Sequence, residues 1–303
     1  MTVRHFISLE DFDLATHERL LARASELKHM QQRGLRYEPL RGRTLAMIFE
    51  QPSTRTRVAF ETGMTQLGGH ALFLSENDTQ LGRGELADDA ARVLSEMVDV
   101  VMIRTPDQAK IDAFAGASRV PVINAMSSVQ HPCQILADMQ TFADHKGSIR
   151  DARVAFIGDG FNMCKSYILA SHVYQFDLMV ASPERFRPNG DWVARYGSRT
   201  TLVTDPKEAV AGADLVVTDV WSSMGHESEQ LMRLRSFQGY QVTRSLLDLA
   251  ADDVLFMHCL PAKRGQEISE DLLEDPRSVV FEEAGNRLHS QKALLELLLL
   301  GER

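Results

Sequence analysis

The sequence contains few cysteines and no long apolar run. Its 303 residues include three cysteines, Cys133, Cys164 and Cys259, which are far apart and form no Cys-x-x-Cys pair. An odd, sparse set of this kind excludes a disulfide framework and is typical of a reducing compartment. No segment reaches the roughly 18 consecutive apolar residues of a membrane span, and the first residues lack the apolar core of a signal peptide. We therefore expect a cytoplasmic protein with no membrane partner.

The sequence also contains fewer basic than acidic residues. The 33 lysines and arginines are outnumbered by 42 aspartates and glutamates, the formal net charge is −9, and no basic block stands out. This balance argues against nucleic acid as a partner. It does not argue against a small anionic ligand, because a few local arginines suffice to bind one. The chain is 44% hydrophobic, which is ordinary for a globular protein, and its length corresponds to about two domains of ~150 residues.

Short apolar segments alternate with helical patterns in both halves of the chain, after a helical pattern over residues 6–33. This alternation predicts an α/β fold with two open parallel-sheet domains and helices on both faces. A long helix is expected at 284–300, and the polar stretch 147–153 is the best domain boundary. The predicted strands are residues 44–49, 70–75, 98–103, 120–124, 154–157, 178–181, 201–203, 215–218, 254–257 and 278–281.

The most informative motif is Ser53-Thr54-Arg55-Thr56-Arg57, which lies between the first predicted strand and a helix. In an open α/β sheet this corner faces the ligand crevice, and the N–H groups of the first helical turn have no intrahelical partners. Hydroxyl and guanidinium groups there suit a dianion with three oxygens. A plain N-cap with solvated arginines is the alternative, but the helix dipole disfavours two cations at this end.

Other chemically capable side chains also follow predicted strands, namely those of Arg104, His131, Asn162, Asp219 and Cys259. Because such strand ends face one crevice, their concentration there points to a binding site. Each residue also has a structural interpretation. The histidine could be buried against a carbonyl, the asparagine could cap a helix, the aspartate could serve a turn, and the cysteine could be a small buried hydrophobe.

Three further interpretations fit the sequence less well. Gly158-Asp159-Gly160 could begin a dinucleotide-binding loop, but Met163 stands where the third glycine belongs. His258 with the cysteines could bind zinc, but no chelating spacing is present. A Cys–His hydrolase would need a base within hydrogen-bond reach of the cysteine, which a sequence does not reveal.

Five motifs are spread over nearly the whole chain, namely Ser53–Arg57, His131-Pro132-Cys133-Gln134, Asp219-Val-Trp-Ser-Ser-Met-Gly225, His258-Cys259-Leu260-Pro261 and Asn286-Arg287. In this order they resemble the motifs of the aspartate/ornithine transcarbamylases. The Ser-Thr-Arg-Thr-Arg motif is shared across that superfamily, whereas the Asp-x-x-x-Ser-Met-Gly and His-Cys-Leu-Pro motifs belong to the amino-acid half of the site and resemble the ornithine branch. An aspartate enzyme would be expected to carry different loops there, suited to a dicarboxylate.

The resemblance implies transfer of the carbamoyl group from carbamoyl phosphate to the δ-amine of L-ornithine, giving L-citrulline and phosphate without a metal or other cofactor. Catalytic roles would fall to Arg104, His131, Cys259 and Arg287. Ornithine would be bound by Asn162, Asp219, Ser223 and Met224. Carbamoyl phosphate would be bound by Ser53, Thr54, Arg55, Thr56, Arg57, Gln80, Arg104, His131, Gln134, Cys259, Leu260 and Arg287.

The resemblance also implies a domain arrangement and an assembly. Residues 1–147 would bind carbamoyl phosphate, with a C-terminal helix of about 286–303 packing back on them, and residues 148–285 would bind ornithine. The chain would form a homotrimer, or a multiple of trimers, in which Gln80 reaches the site of a neighbouring subunit.

Three positions depart from the family pattern, and two rival functions stay open. Lys165 stands near the expected carboxylate contact of ornithine, Gly285 replaces a commonly acidic residue, and Ala90 replaces a threonine. The rivals are a transcarbamylase for an acylated ornithine or another diamine, and a non-catalytic paralogue that binds carbamoyl phosphate. Retention of Asp219, Cys259 and Arg287 argues against the paralogue, because a pure phosphate binder needs none of them.

Overall fold

The computed structural model describes residues 3–75, 84–221 and 230–301. The chain divides into two compact units, one of Met1–Gln140 with Gly285–Arg303 and one of Thr141–Ala284. Each unit contains one sheet, and the strands of both sheets pair in parallel. The predicted α/β class with two parallel sheets is therefore confirmed. Among the described residues, no helix combines the length and the apolar character needed to cross a membrane.

In the sheet of the first unit, all strands are parallel, and the order in which they are added reverses between the first and the third strand of the chain. Its strands are β1 (Thr44–Phe49), β2 (His70–Ser75), β3 (Val100–Arg104) and β4 (Val122–Met126). They lie in the order β2-β1-β3-β4, and Phe49 at the end of β1 is in register with Arg104 at the end of β3. The two strand ends therefore flank the switch point of the sheet, where open α/β sheets bind ligands.

Helices cover both faces of this sheet. They are α1 (Leu14–Gln32), α2 (Thr54–Gln66), α3 (Ala87–Leu94), α4 (Gln108–Ala117) and α5 (Pro132–Lys146), whose last residues belong to the second unit. On one face Ile48 and Val101 belong to the same buried cluster as Ala91 of α3 and Phe114 of α4. The alternate side chains of β1 are buried as well. Burial on both sides explains why β1 is apolar from Leu45 onward instead of alternating.

The sheet of the second unit has its switch point between β5 and β8. Its strands are β5 (Arg153–Ile157), β6 (Asp177–Ala181), β7 (Thr200–Val203), β8 (Leu215–Thr218) and β9 (Leu255–His258), in the order β7-β6-β5-β8-β9. Its helices are α6 (Asn162–Tyr174), α7 (Gly190–Tyr196), α8 (Pro206–Val210), α9 (Gln230–Ser236) and α10 (Arg244–Leu247). Asn162 follows β5 and Asp219 follows β8, so both lie beside this switch point.

The long terminal helix α11 (Val280–Leu300) packs on the first unit from residue 285 onward. The Glu296 carboxylate accepts hydrogen bonds from Arg23 Nε at 2.9 Å and from Tyr37 Oη at 2.6 Å. One turn earlier, Lys292 Nζ donates to Gln66 Oε1 at 3.0 Å. These contacts join the helix to α1 and α2 and confirm the predicted return of the C-terminal helix to the first domain.

Two predicted elements differ in the structure. The predicted strand 278–281 is wrong, because Ser278 forms only an isolated bridge with Phe256 and α11 begins at Val280. So short an apolar run does not distinguish a strand from the first turn of a buried helix. The predicted helix 6–33 is divided into a 3-10 turn at Leu9–Asp11 and helix α1. Asp13 separates them, because its carboxylate caps α1 by accepting the Thr16 N–H at 2.8 Å.

Candidate active site

Ser53 is the N-cap of α2, as the motif predicts. Its hydroxyl oxygen accepts the Thr56 N–H at 3.3 Å, and the hydroxyl also donates to Thr56 Oγ1 at 3.0 Å. Thr54 and Arg55 supply the next backbone N–H groups of a helix that carries no acidic residue in its first turn. The positive end of the helix dipole is therefore left for an external anion.

Arg287 reaches the start of α2 from α11. Its Nη2 donates to Thr56 Oγ1 at 2.9 Å, and both side chains are fully or almost fully buried. Residues that are 231 positions apart in the chain therefore meet at one helix terminus. A guanidinium group fixed there adds a permanent positive charge beside the helix N–H groups.

His131 is buried among three guanidinium groups of the same unit. Burial is the main reason why the pKa of His131 lies well below its usual value, and Arg287, Arg104 and Arg55 lower it further. Close by, the predicted site residue Gln134 donates from Nε2 to Asp138 Oδ1 at 2.8 Å, in the buried first turns of α5. The first unit thus holds a neutral imidazole inside a strongly positive cluster, the composition expected for a phosphate site.

Arg57 lies apart from this positive cluster. Its side chain is 47% exposed and pairs with Glu61 on the next turn of α2 at 3.1 Å. Its guanidinium carbon also lies 3.8 Å from the centre of the Phe73 ring. Of the two arginines in the motif, only Arg55 is therefore an electrostatic neighbour of His131. The role of Arg57 in phosphate binding stays a prediction.

In the second unit, Asp219 and Cys259 are joined by a hydrogen bond. The thiol of Cys259 donates to Asp219 Oδ1 at 3.2 Å, and the Val220 N–H donates to the same oxygen at 2.7 Å. Burial raises the pKa of Asp219, while His258 opposes the rise. The family resemblance implies that Asp219 binds ornithine and that Cys259 is catalytic, and the structure brings these two side chains together.

His258 and Glu267 form a buried pair behind Cys259. The Leu260 N–H donates to His258 Nδ1 at 2.9 Å, and His258 Nε2 lies 3.3 Å from Glu267 Oε1. The same Glu267 oxygen accepts the Lys263 N–H. Both ends of the turn that carries Leu260 are thereby fixed, and Leu260 holds the left-handed φ of 53° that is uncommon for a bulky residue.

The alternative role of Asn162 as a helix cap is excluded. The N-cap of α6 is Phe161, which makes no side-chain capping bond, and Asn162 is the first residue of the helix proper. Its side chain is buried. Since β5 and β8 are neighbours and Ile157 is in register with Thr218, Asn162 and Asp219 leave the sheet from adjacent strand ends.

Within residues 3–75, 84–221 and 230–301, one group has the composition of a metal site. The ligand atoms of Asp219, His258 and Cys259 lie within 4.8 Å of one another. Both ring nitrogens of His258 and the thiol of Cys259 already take part in hydrogen bonds. The three side chains are therefore arranged as a hydrogen-bond network, and the expected absence of a metal stays a prediction.

The other cysteines are buried. Burial raises the pKa of the Cys133 thiol to about 12 and raises that of Cys164 as well. Both are therefore poor nucleophiles, since the thiolate is the reactive form. Cys133 and Cys164 are therefore small buried hydrophobes, whereas Cys259, for which that interpretation is the alternative, is not fully buried.

Three predicted site residues, Gln80, Ser223 and Met224, lie outside the described residues. Their roles stay predictions. In contrast, Glu267 and Asp138 belong to the site region and were missed by the sequence reasoning. Glu267 stands in a polar loop and Asp138 inside a helix, and neither position carries a motif that would have singled it out.

Comparison with protein families assigns the chain to a known group. Residues 4–144 match the carbamoyl-P binding domain of aspartate/ornithine carbamoyltransferase, and residues 150–298 match its Asp/Orn binding domain. The chain belongs to the aspartate/ornithine carbamoyltransferase family. An anabolic ornithine carbamoyltransferase of Pseudomonas aeruginosa is 59% identical over 299 residues, which are 99% of this chain and 98% of that protein.

Solved structures of this family have the same fold. Ornithine carbamoyltransferase from Burkholderia thailandensis is 46% identical, with a TM-score of 0.93 over 99% of this chain and 100% of the other. The enzyme from Pyrococcus furiosus is 43% identical, with a TM-score of 0.93 over 99% of this chain and 98% of the other. Both likenesses extend through the strand ends that carry the positive cluster and the Asp219–Cys259 pair.

Proposed function

We propose that this protein is an ornithine carbamoyltransferase that converts carbamoyl phosphate and L-ornithine to L-citrulline and phosphate in arginine biosynthesis. The observation that carries the proposal is the burial of His131 among the guanidinium groups of Arg55, Arg104 and Arg287 beside a helix start. Curated relatives at 59% and 58% identity over 99% of the chain are named for this activity.

The phosphate group is bound at the start of α2. The N–H groups and hydroxyls of residues 53–56 donate to its oxygens, and Arg55 and Arg287 neutralise its charge. Arg57 is assigned a weaker contribution, because its side chain is exposed and paired with Glu61. Permanent positive charge at this place also stabilises the phosphate as it leaves with its electron pair.

The carbamoyl oxygen is polarised by Arg104, His131 and Thr56. Attack by the δ-amine on the carbamoyl carbon places negative charge on that oxygen, and donors fixed before the reaction stabilise it in the transition state. The low pKa of His131 leaves its ring neutral, so it acts as a hydrogen-bond donor at this step. Gln134, Cys259 and Leu260 are assigned to the carbamoyl group and the reacting amine.

Ornithine is bound through Asp219 and Asn162. The Asp219 carboxylate, held by Cys259 and the Val220 N–H, accepts the α-ammonium group. Asn162 is assigned to the α-carboxylate, and Ser223 and Met224 complete the site. The δ-amine has a solution pKa about three units above neutrality, like that of lysine, and partial desolvation in the site eases the loss of its proton. No metal or organic cofactor takes part, because fixed cations supply the electrostatic stabilisation.

We assign carbamoyl phosphate binding to residues 1–147 with 286–303 and ornithine binding to residues 148–285. We also propose a cytoplasmic homotrimer, or a multiple of trimers, with Gln80 contributed to a neighbouring site. Exposed apolar side chains are found in both units, among them Leu231 and Phe281 in the second. Five of those in the first unit support an assembly through it, because they fall on α2, on the edge strand β2 and around α3. They are Val58, Leu72, Leu86, Val93 and Met97. Sedimentation should give the mass of three 34.0 kDa chains or a multiple of it.

Citrulline formation by the purified protein tests the proposal. The assay supplies carbamoyl phosphate with L-ornithine, with N-acetylornithine, with putrescine or with L-aspartate. We expect turnover with L-ornithine at least a hundredfold faster than with the others. Absence of citrulline would overturn the proposal, and preference for the acylated or decarboxylated amine would assign another transcarbamylase. Thermal stabilisation by a phosphonate–ornithine bisubstrate analogue would identify a non-catalytic binder if it occurred without turnover.

A further inference from the structure

The turn between β5 and α6 holds a buried ion pair. Asp159, in Gly158-Asp159-Gly160, accepts a hydrogen bond on Oδ2 from Arg233 Nη1 at 2.5 Å, and their side chains are only 12% and 8% exposed. Gly160 allows this turn to pack closely, because a Cβ there would lie 2.2 Å from the Pro188 backbone nitrogen. The glycine-rich motif therefore shapes a tightly packed turn around an acidic side chain.

Arg233 belongs to α9 and joins three separate segments of the second unit. Besides Asp159, its Nη1 donates to the Trp221 carbonyl at 3.0 Å. Its guanidinium carbon lies 4.8 Å from the centre of the Phe186 ring. A planar guanidinium that is stacked on a ring and shared between two acceptors holds those acceptors at a fixed separation.

The two acceptors are close in sequence to the residues assigned to ornithine. Asp159 precedes Asn162 by three positions, and Trp221 follows Asp219 by two. The strands that lead into these turns, β5 and β8, are hydrogen-bonded neighbours. Arg233 therefore connects the turn after β5 with the turn after β8, across the switch point of the sheet.

We propose that Arg233, together with Asp159, is a positioning residue that fixes the separation of Asn162 and Asp219 and thereby sets the affinity for ornithine. This inference rests on the proposed function, because it concerns the amino-acid half of the same site. The pair does not touch the reacting atoms. Its effect is geometric, since small displacements of binding groups weaken transition-state and substrate contacts strongly.

The test compares Arg233→Met, Arg233→Lys, Asp159→Asn and the double variant Asp159→Asn/Arg233→Met. We expect Arg233→Met to raise KM for ornithine and the calorimetric Kd of ornithine about tenfold, while KM for carbamoyl phosphate stays within twofold. Arg233→Lys should recover part of the affinity, because it keeps the charge but not the planar fork. The double variant should recover thermal stability without recovering affinity, because it leaves no unpaired buried charge.

Arg277→Met is the matched control. Arg277 also pairs within the second unit, with Asp275 at 2.8 Å and Asp248 at 2.8 Å, but it contacts neither turn. It should lower Tm and leave the ornithine constants unchanged. If Arg233→Met also lowers Tm with unchanged ornithine constants, the pair is merely structural and the inference is overturned. A wild type that binds ornithine but forms no citrulline would remove the proposed reaction, and the Kd comparison would still decide the role of Arg233.

Discussion

The surroundings of His131 in the first unit and of Asp219 in the second favour the neutral form of a titratable group by different means. Burial lowers the pKa of His131, and three guanidinium groups add to the effect. Burial raises the pKa of Asp219, although His258, the Val220 N–H and Cys259 oppose the rise. Burial is the larger cause in both regions; permanent positive charges reinforce it in the first, whereas His258 and hydrogen bonds oppose it in the second.

The difference shows how each region is matched to its proposed ligand. A phosphate dianion would offset the guanidinium groups that crowd His131, and an ammonium group would favour the carboxylate of Asp219. Each region thus carries an electrostatic cost in the free protein that its own ligand relieves. Such a cost is common at functional sites, where affinity is selected at the expense of stability.

Removal of a permanent charge from the first region should have the largest effect on turnover. Arg104→Met is expected to lower kcat by about 10²–10³, the range found when one fixed donor to a developing oxyanion is lost. Steady-state citrulline formation measures it. Arg119→Met is the control, because Arg119 is exposed and pairs only with Glu96 among the described contacts. A loss below fivefold in the Arg104 variant would contradict its assignment to the carbamoyl oxygen.

The two arginines of the helix-start motif should differ in their effect on phosphate affinity. Arg55→Met is expected to weaken binding of a phosphonate analogue at least about tenfold, because a hydrogen bond to a charged group contributes about 1.5–3 kcal/mol. Arg57→Met should change the same Kd by less than about threefold, because Arg57 is engaged with Glu61 and Phe73. Calorimetric titration of both variants with the analogue measures the two Kd values. Equal losses of affinity would mean that Arg57 also binds the phosphate group.

Short-range patterns explain which parts of these regions the sequence could predict. The start of α2 at Ser53 follows from a strand, a capping residue and a helical stripe within a few positions, and the pairing of Asp219 with Cys259 follows from the ends of two predicted strands. The meeting of Arg287 with Thr56 depends on a helix that returns across the whole chain. It was expected from the family resemblance and not from spacing.

Other contacts depend on loop geometry and have no sequence signal. Glu267 reaches His258 because the intervening turn folds back, and nothing in its polar neighbourhood distinguishes it from a surface glutamate. The turn after β5 resembles a dinucleotide loop in its glycines, but Asp159 is paired with Arg233 from a helix 74 positions away. The direction of Arg57 is decided by its neighbours Glu61 and Phe73, which a motif does not describe.

The electrostatic cost of burying the Asp219 carboxylate should be measurable as a lower stability of the folded protein at neutral pH. Burial raises the pKa of Asp219, so as pH rises the Asp219 carboxyl loses its proton at a lower pH in the unfolded chain than in the folded protein. The free energy of unfolding therefore falls as pH rises from about 3.8 to the pKa of the folded protein. Asp219→Asn keeps the acceptor oxygen but removes the charge. It should raise Tm at pH 7 by about 2–4 °C, the shift that ~1 kcal/mol gives in a unit of this size, and abolish ornithine binding.

Calorimetric scans at pH 7 and near pH 4 check this expectation, and the gain should shrink at the lower pH. The exposed Asp252 supplies the control, since Asp252→Asn should leave Tm unchanged at both pH values. A lower Tm for Asp219→Asn at pH 7 would mean that the carboxylate contributes favourable contacts that outweigh its burial.

In the first region the titration of His131 should lower the free energy of unfolding as pH falls, which is opposite to the effect of Asp219. Of the predicted effects, this one should be the smallest. The folded pKa of His131 is lowered, so the unfolded chain binds a proton first as pH falls below about 6.5, and stability is lost toward the folded value. His131 contributes at most one proton to the pH dependence of unfolding. His131→Gln should therefore reduce the slope of the free energy of unfolding against pH by at most about 1.4 kcal/mol per pH unit. Urea unfolding between pH 7 and pH 5 measures the slope. His5 and His17, whose pKa values burial also lowers, keep their share in both proteins.

His29→Gln is the control for this last slope, because His29 is exposed in α1. It should leave the pH dependence of unfolding as it is in the wild type. A saturating phosphonate dianion should flatten the wild-type slope toward that of His131→Gln, because it offsets the guanidinium charges and lets the folded protein take up the proton. If the dianion leaves the slope unchanged, the ligand does not bind beside His131, and the contrast between the two regions loses its functional meaning.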